Sequence, residues 1–250
     1  MTEFATAMLA VLAVALVAAP PASAQSFSPQ QKQQLDRIIH DYLLQHPETV
    51  MDSLKAAQAK AAAAKAAEQQ KAIVARRAEL LHDPDSAVGG NPKGDVTLVE
   101  FFDYRCPYCK ALEPSLEAMI KEDGKLRVVY KEFPILGPVS VYASRVAIAA
   151  RKQGKYAAFH DRMMALRGTI DDAAVMKVAQ EAGLDMARLK DDMASAKTNA
   201  IIQRNYALAD ALGVDATPAM VIGDKLTMGA VDIDGLRQLI VAARKDKKGS

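Results

Sequence analysis

The chain has no tryptophan, and aromatic residues make up only 5% of it. It therefore has little from which to build a stacking platform for sugars or bases. Its 32 basic and 30 acidic residues are interspersed along the sequence. No basic stripe with interleaved aromatics occurs, so nucleic acid is not an expected partner. The four histidines, His40, His46, His82 and His160, are scattered, and none pair at a spacing suited to metal ligation. Residues 28–81 contain no glycine. Cysteine is scarcest of all after tryptophan: Cys106 and Cys109 are the only two in 250 residues.

Those two are separated by Pro107 and Tyr108. Thiols at this spacing can close into a small-ring disulfide and reopen, with one thiolate attacking a partner and the second resolving the mixed disulfide. A zinc site would need about four ligands, and no second cysteine or histidine pair supplies them. A structural disulfide would close too little chain to stabilise a domain of this size much. The residues thus favour a dithiol redox centre with no metal.

The N-terminus reads as an export leader over residues 1–24. Phe4 to Ala19 is apolar and alanine-rich, and Pro20-Pro21 and the small-residue stretch Ala22-Ser23-Ala24 follow. That pattern matches a cleavable signal, although the usual basic residue before the apolar core is missing. The run is too short for a comfortable membrane span. An uncleaved anchor is the alternative. Either reading places the thiols in an oxidising compartment outside the cytosol.

Residues 25–82 read as a helical arm. Ser28-Pro29 has the form of a helix start, and Leu35, Ile38, Ile39, Tyr42 and Leu43 fall on one helical face. His46-Pro47 interrupts the pattern, and an Ala/Lys/Gln/Glu helix of some 30 residues follows, reaching about 45 Å. The apolar face needs a cover, either the redox domain or the same stripe of other copies of the chain, symmetric self-association being the common way to bury such a face. Residues 83–95 are rich in Pro, Gly and Asp and predict a linker of turns. Val96 to Phe102 predicts a buried strand interrupted by Glu100. A helix over 111–121, a strand over 126–130, helices from 139 to 212, a hairpin over 219–228 and a last helix follow.

Glu-Phe-Phe-Asp-Tyr-Arg-Cys-Pro-Tyr-Cys-Lys at 100–110, together with Gly-Val-Asp-Ala-Thr-Pro at 213–218, resembles the paired signatures of the DsbA-like thiol:disulfide family. Tyr42-Leu43-Leu44-Gln45-His46-Pro47-Glu48 and the composition around it resemble its suppressor-of-copper-sensitivity C (ScsC) branch. The resemblance implies an α/β thioredoxin fold over 96–246 with a helical insertion at about 138–212, preceded by the helical arm. It implies no cofactor beyond the redox-active disulfide of Cys106 and Cys109.

Cys106, where strand gives way to helix, is the expected nucleophile, because free N–H groups and the positive helix end stabilise a thiolate there. Cys109, one turn further in, is the expected resolving thiol. Pro107 suits the first helical turn, and Tyr108 brings no positive charge to the thiolate. The resemblance makes Glu100 the buried acid that exchanges a proton with Cys109, the other reading being an outward-facing residue at a strand end. It makes Pro218 a cis-proline that opens the backbone of Thr217 to a substrate strand. Thr217, Pro218, Pro107 and Tyr108 then form the substrate-binding surface.

The resulting expectation is a periplasmic disulfide isomerase or reductase acting on disulfide- or thiol-containing proteins. Its electron donor would be a membrane reductase, and residues 28–81 would assemble a homotrimer linked to copper tolerance. A fragment starting near Asp83 is then expected to be a folded monomer. Two rivals stand beside this reading: a monomeric dithiol oxidase, and a copper(I)-binding protein that uses the same dithiol. The methionines, including Met163-Met164, are dispersed through helical segments and read as core filler.

Overall fold

The computed structural model of the chain describes residues 27–229 and 232–248. The expected leader over residues 1–24 lies outside them. Among the described residues no helix is long and apolar enough to cross a membrane. The chain divides into two compact units at Ala59/Lys60.

In the first unit, α1 (Pro29–Gln45) starts on a complete capping box. Ser28 Oγ accepts from the Gln31 N–H at 3.2 Å, and Gln31 Oε1 accepts from the Ser28 N–H at 2.9 Å. The helix ends at His46, whose N–H donates to the Tyr42 carbonyl. Pro47 then opens α2 (Pro47–Ala75), a continuous 29-residue helix. No residue of α1 is buried. Leu35, Ile38, Ile39, Tyr42 and Leu43 are each between 38% and 58% exposed in the single chain.

The second unit is a five-stranded sheet in the order β1-β3-β2-β4-β5, with helices on both faces. Its strands are β1 (Ala87–Gly90), β2 (Val96–Phe102), β3 (Leu126–Glu132), β4 (Ala219–Ile222) and β5 (Lys225–Met228). β2 and β3 run parallel, and α4 (Pro107–Asp123) makes the crossover that a parallel pair requires. Every other pairing is antiparallel. β2 is central and almost wholly buried, which explains its unbroken apolar run. The insertion consists of α5 (Pro138–Lys152), α6 (Tyr156–Ala165), α7 (Asp172–Glu181), α8 (Met186–Ala194) and α9 (Ala196–Leu212). The last helix is α10 (Ile233–Lys248). Leu98 and Met220 meet Leu116 of α4 and Leu236 of α10 on one face of the sheet. Val99, Phe101 and Val221 meet Leu208 of α9 on the other.

Two stretches differ from the sequence reading. The expected linker 83–95 contains the edge strand β1. Four residues, two of them glycine, carry no alternation to read. Gly89 is needed because a Cβ there would come within 2.8 Å of the Tyr130 ring across the pair. The second difference is at the end of the arm. Ile73 in α2 and Leu80 in α3 (Arg77–Leu81) are buried in the sheet core with Val99, Phe101 and Val129. Lys131, buried in β3, donates to the Glu79 carbonyl at 2.8 Å and to Asp83 Oδ2 at 2.9 Å. Residues from Lys60 onward thus belong to the sheet unit, and the expected boundary near Asp83 cuts through its core.

A stability difference follows. A fragment beginning at Asp83 loses Ile73 and Leu80 from the core, and each large buried side chain is worth about 2–5 kcal/mol. It is expected to unfold in urea at least roughly 4 kcal/mol more readily than a fragment beginning at Lys60. Equal midpoints for the two would show that the Ile73 and Leu80 contacts contribute nothing.

Candidate active site

The site forms where β2 ends. Cys106 is the N-cap of α4, with extended backbone (φ −69°, ψ 117°) and Pro107 at the first helical position. Its Sγ accepts from the Cys109 N–H at 3.4 Å. As a thiol it donates to the Thr217 carbonyl at 3.3 Å, across the cis Thr217–Pro218 bond. The two cysteines are free thiols, Cys106 3% exposed and Cys109 fully buried. The attacking thiol is therefore nearly covered in the single chain. Tyr108 beside it is 61% exposed.

The environment splits the two thiols. The Cys106 pKa falls to about 6, chiefly because the Cys109 thiol donates to its thiolate. Thr217 and the N–H groups of Cys109 and Tyr108 add to this against the opposing effect of burial. The Cys109 pKa is raised far above the ordinary thiol range by that same hydrogen bond, by burial and by the charge of Glu100. The pair thus holds one stabilised thiolate and one retained proton.

Glu100 sits in the middle of β2, between Tyr130 of β3 and Met220 of β4. Strand alternation puts its side chain on the face of Leu98 and Phe102, toward α4. It is fully buried, and among the described residues neither carboxylate oxygen makes a hydrogen bond. The outward-facing reading is thereby excluded. Burial, then the charges of Glu113, Cys106 and Glu132, raise its pKa well above the carboxylate range.

Other residues complete the site without having been singled out in the sequence. Asp103, buried, accepts from the Arg105 N–H at 2.7 Å and from the Leu136 N–H at 2.9 Å. It ties the catalytic turn to the loop that carries the exposed side chains Ile135 and Leu136. The buried Lys110 donates to the Met163 and Met164 carbonyls at the end of α6. Burial and the Arg167 charge lower its pKa to about 8. Glu113 lies one turn after Cys109 on the same side of α4, a spacing the sequence does display. His160 is brought in by the insertion, and no local pattern marks it. Met163 and Met164 are packed in the insertion core beside Cys109 and Phe159.

Residues 97–241 match the model of the DSBA-like thioredoxin domain. The chain belongs to the DSBA-like thioredoxin family. Residues 31–64 match the N-terminal domain of the copper resistance protein ScsC. A thioredoxin-like oxidoreductase from Silicibacter pomeroyi is 44% identical, with a TM-score of 0.66 over 68% of this chain and 98% of that one. ScsC of Proteus mirabilis in a transitional conformation is 28% identical, with a TM-score of 0.65 over 88% of this chain and all of that one. The thiol:disulfide interchange protein DsbA of Bordetella parapertussis is 29% identical over 61% of this chain and 78% of its own length. A Na(+)/H(+) antiporter of Salinispora tropica is 27% identical over 164 residues, and the chain spans about a quarter of that antiporter's length.

Proposed function

We infer that the protein is a thiol:disulfide oxidoreductase of the DsbA/ScsC type, working as a disulfide isomerase and reductase on protein substrates outside the cytosol. The observation that carries this reading is the Cys106 thiol at the start of α4, 3.3 Å from the Thr217 carbonyl, with the proton retained on Cys109 behind it. A substrate strand paired with the Thr217 backbone is presented to Cys106. The Cys106 thiolate attacks one sulfur of a substrate disulfide. The other sulfur leaves as a thiolate, and a mixed disulfide remains. In isomerisation a second substrate thiolate releases Cys106 unchanged. In reduction Cys109 attacks Cys106 Sγ, its proton passes to Glu100, and the substrate leaves fully reduced. Forming the mixed disulfide removes the Cys106 charge that opposes ionisation of Glu100, which readies that carboxylate as the acceptor.

The isomerase reading rests on the uncovered α1 stripe together with the match to the ScsC N-terminal domain. Chains joined through that stripe, as a trimer, hold several dithiols around a shared space and keep each from being reoxidised by an oxidase partner. A membrane reductase would keep the dithiol reduced. The test is refolding of a scrambled, fully oxidised protein in a glutathione buffer. Recovery of native disulfides catalysed by the intact chain is the expected result. Rapid oxidation of a reduced substrate with no rescue of the scrambled one would favour a monomeric oxidase.

A further inference from the structure

Glu100 is fully buried, and among the described residues its oxygens meet no donor. Yet the reduction cycle requires its proton to leave after each turnover. On α4, Cys109, Glu113 and Glu117 recur every four residues and so form one stripe along the helix. Glu113 is buried, and its Oε1 lies 3.4 Å from His160 Nε2. Glu117 is exposed and, with His160, Asp161, Tyr130 and Tyr156, lines a cavity of about 530 Å³ between β1, α4 and α6. None of Cys106, Cys109, Thr217 and Pro218 borders that cavity.

A hydrogen-bond network and three aromatic rings hold His160 in place. Glu132 accepts from Ser144 at 2.7 Å, from Tyr156 at 2.9 Å and from Tyr104 at 3.4 Å. The Tyr104 hydroxyl also lies 3.1 Å from His160 Nδ1, and the imidazole tautomer decides which of the two donates. Nε2 faces Glu113 and has no other partner among the described residues. The ring itself is clamped by Phe102, Tyr130 and Tyr156, with centroids at 5.0, 4.6 and 5.4 Å. Glu113 Oε1 and His160 Nε2 therefore face each other at 3.4 Å, with His160 on the cavity wall. The charges facing it come from α4 (Glu113, Glu117), from β3 (Glu132) and from α6 (Asp161).

We propose that Glu113 and His160 relay protons between Glu100 and the cavity beside α6, so that the dithiol exchanges protons with solvent on a side it does not present to substrate. The proposal rests on the reading of Glu100 as proton acceptor for Cys109. When Cys109 attacks Cys106 Sγ, the bond from Cys106 to substrate sulfur breaks and its electron pair leaves on the substrate thiolate. The Cys109 proton moves to Glu100, then to Glu113 and His160, and reaches water at Glu117. The reverse path returns a proton to Cys109 when the disulfide is reduced.

The test uses the full chain reduced, charged with glutathione on Cys106, and followed by acid quench and mass spectrometry as Cys109 releases the glutathione. His160→Gln and Glu113→Gln are each expected to slow that release about tenfold at pH 7 and to flatten its pH dependence, as loss of a proton-transfer group does. The double variant should be no slower than either single one, because the two act as a unit. Alkylation of Cys106 in the same variants should stay within about twofold of the parent rate, since direct attack needs no relay. An unchanged release profile in Glu113→Gln, a side-chain change of one atom, overturns the relay even if His160→Gln fails to fold. Parallel loss of release and alkylation overturns it as well, by making the pair a packing element. Glu100→Gln separates the two layers. If it leaves the profile unchanged, the acceptor reading fails. If it alters the profile while Glu113→Gln and His160→Gln do not, only the relay fails.

Discussion

Replacing Cys106 with serine is expected to abolish both reductase and isomerase activity, whereas Cys109→Ser should accumulate mixed disulfides with substrate proteins. Attack needs only the Cys106 thiolate, while release in the reductive cycle needs Cys109. The pKa pattern adds a sharper expectation. Thiolate is the reactive form, so alkylation of Cys106 in the parent protein should rise with pH and level off above about 6. The largest cause of that low value is the hydrogen bond donated by the Cys109 thiol. Cys109→Ala removes the donor, so the midpoint should move upward by about one unit or more, toward the ordinary thiol value. Cys109→Ser keeps a donor and should move it less. Measured by iodoacetamide labelling across pH 4 to 10, a midpoint in Cys109→Ala equal to that of the parent would assign the effect to the α4 N-terminus instead. Faster labelling of Cys109 than of Cys106 in the parent would reverse the two roles.

Much of this site is visible in the sequence because its parts lie close together in the chain. A strand ending four residues before a Cys-x-x-Cys pair, with proline at the first helical position, fixes Cys106 as an N-cap and Cys109 as the residue one turn in. Glu100 stands out because an acid in an unbroken apolar strand has nowhere dry to go except the core. Thr217 and Pro218 are legible only through their resemblance to a family signature, since 111 residues separate Thr217 from Cys106.

What escaped notice depends on tertiary placement. His160 lies on an insertion helix whose own periodicity says only that one face is buried. That it reaches Glu113 and Tyr104 follows from how α6 crosses α4, which no local pattern encodes. Glu113 was within reach, as the i+4 neighbour of Cys109. The strand β1 was not, because its pairing is supplied by Tyr130 and Val129 across the sheet edge rather than by its own Ala-Val-Gly-Gly. The end of the arm misled for a different reason. Ile73 and Leu80 belong to two short apolar pairs, Ile73-Val74 and Leu80-Leu81, in a stretch dominated by Ala, Gln, Glu, Lys and Arg, and such pairs do not announce which core they enter.

The α1 stripe carries the other large expectation. Leu35→Glu together with Ile39→Glu places two carboxylates one turn apart on the face that we infer joins the chains. If that face is buried in a trimer, each unpaired carboxylate costs about 3 kcal/mol or more. Two per protomer then weaken association by roughly 6 kcal/mol, about four decades in dissociation constant. The intact parent chain should scatter light as a trimer at micromolar concentration and the double variant as a monomer. Helix α1 has its own capping box and good helix formers, so the variant should lose little helical signal. Its reductase activity should persist, because Cys106, Cys109, Glu100 and Pro218 all lie outside the altered segment. Its isomerase activity on scrambled substrates should fall, and, if the proposed trimer shields the dithiols, it should become open to reoxidation by an oxidase partner. A monomeric parent chain at that concentration would sink the trimer and leave the monomeric oxidase as the better reading. A trimeric double variant would instead place the interface on another face of the arm, with Val50, Met51 and Leu54 of α2 as the exposed apolar residues to alter next.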